Sequence, residues 1–214
     1  MLHSILMADV ISSHKKDAAQ LLDQFKLTVK AINNQFADTI ISPLTITLGD
    51  EFQGISTSVS SGVLLILAME EFILANAFDF KLRYILAQGQ IETPINTKNA
   101  HEMMGEGLTH ARKQLNNLKN KEARFLLTSS TADHIMLTTL NDSFKLYQHF
   151  IDSWKVKDYP LVHQFLMNED YKKIASQLNL NKSTTWRRKK SLLIDEYRTS
   201  KNIILNLCKL HDFR

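Results

Sequence analysis

Residues 44–55 read Leu-Thr-Ile-Thr-Leu-Gly-Asp-Glu-Phe-Gln-Gly-Ile, and this stretch decides the fold. Leu44 to Leu48 alternates strictly between apolar and polar residues, as a strand with one buried face does. Gly49-Asp50-Glu51 interrupts the run, and Phe52 to Ile55 resumes it. The pattern predicts a β-hairpin with acids at its tip.

Working outward, Ser4 to Val10 is a short apolar run ended by Asp9 and reads as a buried strand. Ala18, Leu21, Leu22, Phe25, Val29, Ile32 and Phe36 recur at steps of three and four, which predicts an amphipathic helix between the two strand regions. Beyond the hairpin lie an apolar helix over Ser60 to Phe78 and a strand over Lys81 to Gln90. Gly105-Glu106-Gly107 then precedes a basic helix from Leu108 to Leu118, followed by a strand at Phe125 to Thr128 and a helix at Thr131 to Leu140. The order β-α-β-β-α-β-α-β predicts an α+β, ferredoxin-like sandwich, an antiparallel-centred sheet with its helices on one face.

Phe144 to Val162 carries no clear period, and a boundary is placed near Asp158-Tyr159-Pro160. It divides a sheet domain at 1–150 from a small all-α domain at 158–214. Charge supports the division. Residues 1–150 hold 13 Lys and Arg against 15 Asp and Glu, a net of −2, whereas residues 151–214 hold 13 against 7, a net of +6. The net charge of +4 for the 214 residues conceals both halves.

Several classes are set aside by composition. The longest apolar run, Val63 to Met69, falls far short of the roughly 20 residues that span a bilayer. The N-terminal residues lack the cationic lead of a signal peptide. The single Cys208 leaves no internal disulfide or cysteine-based zinc site, and the eight histidines show no paired ligand spacing. The expectation is a cytoplasmic protein with no membrane partner.

Asp9 closes the first strand and Asp50 sits at the hairpin tip. If those strands are neighbours, the two carboxylates meet at one edge, and such a pair calls for a cation between them. A hard ion such as Mg²⁺ takes one or two carboxylates together with substrate phosphates. The plainer alternative is that Asp50 caps a hairpin and Asp9 a helix.

Four segments then resemble the class III nucleotidyl cyclase and GGDEF-type palm: Ile5 to Ser13, Thr47 to Phe52, Leu82 to Gly89 and Gly105 to Arg112. Taken together, Ala8-Asp9-Val10-Ile11-Ser12-Ser13, Leu48-Gly49-Asp50-Glu51-Phe52-Gln53-Gly54 and Gly105 to Arg112 resemble the SatD family. The resemblance implies a nucleotidyl cyclase-like palm at 1–150 with Mg²⁺ or Mn²⁺ held by Asp9, Asp50 and the Val10 carbonyl. It also implies nucleotide phosphates near Ser12, Ser13, Gly105, Arg112 and Lys113, and a homodimer. The match departs from active cyclases on the later helix. Thr109 stands where cyclases carry Asn, Lys113 where they carry Arg, and Arg112 is one place out of register, so cyclisation is in question.

In the basic tail, Glu169 to Ile194 reads as a helix-turn-helix. Tyr171, Ile174, Ala175 and Leu178 form one apolar face, Leu180 plugs the turn, and a second helix begins near Lys182 and buries Trp186. Ser183, Thr184, Thr185, Arg187 and Arg188 then face outward, and Lys189 and Lys190 meet phosphates of duplex DNA. The alternative is a helical pair used for dimer contact, with a solvated Arg-Arg-Lys-Lys face. A last helix carries Ile203, Ile204, Leu207 and Leu210 toward a partner subunit. Three readings stand: a nucleotide-binding palm coupled to a DNA-binding unit, a nucleotidyl cyclase-type enzyme acting on ATP or GTP, and a palm without chemistry that dimerises.

Overall fold

The computed structural model describes residues 2–11 and 17–212. Five strands, β1 (Leu2–Val10), β2 (Ile40–Ile46), β3 (Glu51–Ser56), β4 (Leu82–Gln90) and β5 (Phe125–Thr128), form one sheet in the order β2-β3-β1-β4-β5. The first four pair antiparallel, and β5 joins β4 in parallel. With α1 (Ala18–Gln35) and α2 (Val59–Ala75) between them, β1 to β4 make the split βαββαβ unit of a ferredoxin-like sandwich. The hairpin turns at Gly49, whose φ of +77° is left-handed and suits a residue without Cβ.

The helices do not share one face. Leu6, Ala8 and Val10 of β1 join the core under α1 and α2, while Ile5 and Met7 join Ile85, Ala87, Ala111 and Leu115 under α3 (Glu106–Leu118). A strand buried on both faces shows no alternation, so the apolar run of β1 conceals this second layer. Asp9 has the parity of Ile5 and Met7 and therefore lies on the α3 face.

The start of α3 lies against the end of β4 through two glycines. A Cβ added at Gly89 would fall 2.4 Å from the Gly107 Cα, and one at Gly107 would fall 2.7 Å from the Gly89 carbonyl carbon. No side chain can yield there, because both contacts are backbone. Gly107→Ala is expected to lower stability by about 1–3 kcal/mol through overpacking, read as a reduced midpoint in urea.

The expected division into 1–150 and 158–214 is crossed by a continuous core. The ambiguous stretch is helical: α4 runs His134–Ser153 and α5 Tyr159–Met167, before α6 (Tyr171–Gln177), α7 (Lys182–Ser191) and α8 (Ile194–Asp212). Pro160 fits the first turn of α5, where its missing N–H costs nothing. Helix α8 returns to α4 and α2. Rings step from the sheet into the tail: Tyr84 stacks on Phe125 at 5.4 Å and Phe125 on Phe144 at 5.1 Å. Tyr147 meets Tyr197 at 5.3 Å, and Tyr197 meets Trp154 at 5.0 Å. Ile204 and Cys208, fully buried, belong to the same core. The face of α8 expected to seek a partner is thus partly used at home, and Ile203 and Leu210 remain exposed.

Beneath this junction lies a buried ion cluster. Arg124 forms a two-pronged pair with Glu70 at 3.1 and 2.9 Å, donates to the Leu82 carbonyl at 2.6 Å and reaches Asp152 at 3.2 Å. Lys81 also meets Asp152, at 2.8 Å. Burial pushes the Asp152 carboxyl up, but Arg124 and Lys81 outweigh it and hold it below the usual carboxylate range. A depressed folded-state value means stability that is present above the unfolded pKa and lost as pH falls through the folded one. Urea titrations of Asp152→Asn are therefore expected to show a flatter loss of stability than wild type below about pH 4.

Candidate functional site

Cross-strand register assembles a row of charge at one end of the sheet. Asp9 of β1 lies opposite Glu51 of β3 on one side and Arg83 of β4 on the other. Directly paired residues share a face, so all three point toward α3. Arg83 donates to both Asp9 carboxylate oxygens, at 3.1 and 3.0 Å. Arg112 of α3 pairs with Glu51, and Lys119, just past the end of α3, reaches Asp9 at 3.4 Å and Glu51 at 3.3 Å. Burial raises the Asp9 carboxyl above its ordinary range, although Arg83 and Lys119 pull the other way.

The carboxylate facing Asp9 is therefore Glu51, where the sequence had suggested Asp50. Asp50 precedes β3 at the hairpin turn, where its carbonyl accepts the Val10 N–H at 2.9 Å. Val10 contributes its side chain to the core under α1 and α2. Among the described residues no group of three or more His, Cys, Asp and Glu side chains comes together as a metal cage. The donor set at Asp9 does not fit a hard divalent ion, because protein cations already engage both of its oxygens.

Among the described residues, those expected around a phosphate lie along the length of α3 and not at one point. Ser12 and Ser13 lie outside the described residues, and the first helix begins later, capped by Asp17. Gly105 caps the start of α3 beside β4's end, whereas Lys119 lies by Asp9, so the whole length of α3, about 20 Å, separates them. Lys113 and Thr109 are exposed on the outer face of that helix, and Arg112 is spent on Glu51.

The second candidate surface is the pair α6 and α7. Ile174 and Ala175 of α6 are buried, and Asn179 adopts a left-handed φ of +53° in the short connection, a conformation Asn tolerates better than most residues. The Asn181 side chain accepts from the Ser183 and Thr184 N–H groups and caps α7.

Helix phase differs from expectation at Thr185 and Trp186. Thr185 is 1% exposed and donates its hydroxyl to the Asn181 carbonyl, so it faces inward and cannot touch a base. Trp186 is 47% exposed, and Leu180, expected as a plug, is 44% exposed. Ser183, Thr184 and Arg187 face solvent as expected. The other bases are tied down: Arg188 pairs with Asp158 at 2.6 Å, while Lys189 and Lys190 share Asp195 at 2.7 and 3.0 Å. The outward face of α7 is thus Lys182, Ser183, Thr184, Trp186 and Arg187, with Lys190 also exposed where it pairs with Asp195. Lys182 and Trp186 were not singled out for it from sequence, although the Asn181 cap sets the phase that exposes them.

Fold and site define a ferredoxin-like α+β protein with a closed charge row on one face and a helical tail presenting a basic helix. Within that class, the chain belongs to the SatD family, whose model matches residues 4–208. Among solved structures it is similar to that of a bacterial light-regulated adenylyl cyclase, with TM-score 0.44 and 11% identity over 59% of this chain and 75% of that one. A second structure under the same description gives TM-score 0.46 and 13% identity, over 60% of this chain and 43% of that one. No curated protein matches. No helix among the described residues is long and apolar enough to cross a membrane.

Proposed function

We propose that this protein binds duplex DNA through α7, presented by α6 as the second helix of a helix-turn-helix, with the sheet domain as its body. The observation that carries the reading is the solvent face of α7. Lys182, Ser183, Thr184, Trp186 and Arg187 form one exposed strip, and Arg187 has no ion-pair partner among the described residues. The inward face is fixed by Thr185 and by the Asn181 cap, so the strip is held in one orientation.

Ten helical residues span about 15 Å, a rod that enters a major groove of about 12 Å width by one end. Lys182 and Arg187 supply charge for phosphates or base edges, and Ser183 and Thr184 supply short hydroxyl donors. Trp186 places a broad apolar ring where sugars and thymine methyl groups would lie. Arg188, Lys189 and Lys190 act through their carboxylate partners to brace α7 against α5 and α8.

Tryptophan fluorescence tests this directly, since Trp154 is 4% exposed and Trp186 is 47% exposed. Titration with duplex DNA is expected to quench or shift the Trp186 emission. The change should vanish in Trp186→Phe. An unchanged spectrum, with no retardation of the duplex, would refute the assignment.

A further inference from the structure

We infer that Lys119 is a tethered cation standing where a divalent metal would bridge Asp9 and Glu51, which closes this pair of acids to metal. The inference is independent of the DNA-binding reading. Asp9 and Glu51 face each other across antiparallel strands, with side chains 5% and 8% exposed. Two carboxylates so close and so buried repel unless positive charge lies between them.

That charge comes from the chain itself. The Lys119 ammonium lies 3.4 Å from one Asp9 oxygen and 3.3 Å from one Glu51 oxygen, a bridging position. Arg83 takes both Asp9 oxygens, and Arg112 takes the second Glu51 oxygen. All four carboxylate oxygens are engaged by protein cations. A hard ion needs such oxygens at about 2.0–2.6 Å and would enter among three positive charges, each within a few ångströms.

Lys119 is also well placed for this role by helix physics. It is the residue at the C-terminal end of α3, where the helix dipole favours a cation. The Gly89–Gly107 contact fastens the other end of the same helix to the sheet. Helix α3 is thereby anchored at both ends, by close backbone contact at its start and by the lysine bridge at its finish.

Mn²⁺ titration followed by electron paramagnetic resonance tests the inference. Wild type is expected to leave the free-ion signal unchanged, and Mg²⁺ is expected to leave its thermal midpoint unmoved. Lys119→Ala, shown folded by circular dichroism, should gain one site at least tenfold tighter than any in wild type. Adding Asp9→Asn to that variant should remove the gained site, and Lys119→Arg should remain closed. A wild-type Mn²⁺ site that Asp9→Asn abolishes would overturn the inference, as would a folded Lys119→Ala that gains nothing. Should Lys119→Ala fail to fold, the wild-type Mn²⁺ and Mg²⁺ titrations decide by themselves: a bound ion sensitive to Asp9→Asn refutes the bridge, and no bound ion supports it.

Discussion

Replacing Arg124 with alanine is expected to cost about 3–5 kcal/mol. The guanidinium is almost fully buried and answers two carboxylates, Glu70 and Asp152, together with the Leu82 carbonyl. It also lies 4.8 Å from the Phe125 ring centroid, so truncation removes packing in the aromatic ladder as well. Burial alone would favour its neutral form, but Glu70 and Asp152 more than compensate and hold it charged. Removing it leaves Glu70 without its ion-pair partner and Asp152 with Lys81, and an unpaired buried charge is costlier than a lost surface pair. A loss below about 1 kcal/mol in urea unfolding would show that water reaches this cluster. Arg124→Lys should recover part of the loss, since an ammonium keeps the charge but not the forked geometry.

Arg187→Ala is expected to weaken duplex binding by about 1–3 kcal/mol, roughly 5- to 150-fold, while leaving the unfolding midpoint unchanged. Arg188→Ala should behave in the opposite way. Its guanidinium holds Asp158 at the start of α5, so its loss frees α7 from its brace and appears first as reduced stability. The two neighbours thus separate a contact residue from a positioning residue. Lys113→Ala, on the outer face of α3, serves as a charge-matched control and should change neither quantity. Equal losses of DNA affinity for all three variants would indicate diffuse charge attraction in place of a defined helix face.

Much of this architecture is legible in the sequence, and the failures have definite causes. The hairpin is announced by the alternation of Leu44 to Leu48 and by Gly49, and β5 falls on Phe125–Thr128, as read. The facing of the acids was missed by a single residue. In a strand, one step reverses the face, and the pairing of Asp9 with Glu51 depends on a β1–β3 register that no local pattern encodes. The α3 layer was hidden because a central strand buried on both sides, such as β1, carries no period.

In the tail, the size of Trp186 suggested burial. Thr185 takes the buried position instead, its hydroxyl satisfied by the Asn181 carbonyl, which leaves the neighbouring Trp186 on the exposed side. The packing of the tail against the sheet domain has a long-range origin. Tyr197 donates to Glu71 at 2.8 Å across 126 positions and packs between Tyr147 and Trp154, contacts that local periodicity cannot announce.

The most direct test of DNA binding through α7 is the salt dependence of fluorescence anisotropy for a labelled duplex titrated with the whole protein. If Lys182 and Arg187, with the exposed Lys172 and Lys173 of α6, contact phosphates, log K should fall linearly with log salt at a slope of about −3.6. Arg187→Ala should reduce that slope by about one. No measurable binding at about 50 mM salt, or a slope identical in wild type and Arg187→Ala, would contradict the account.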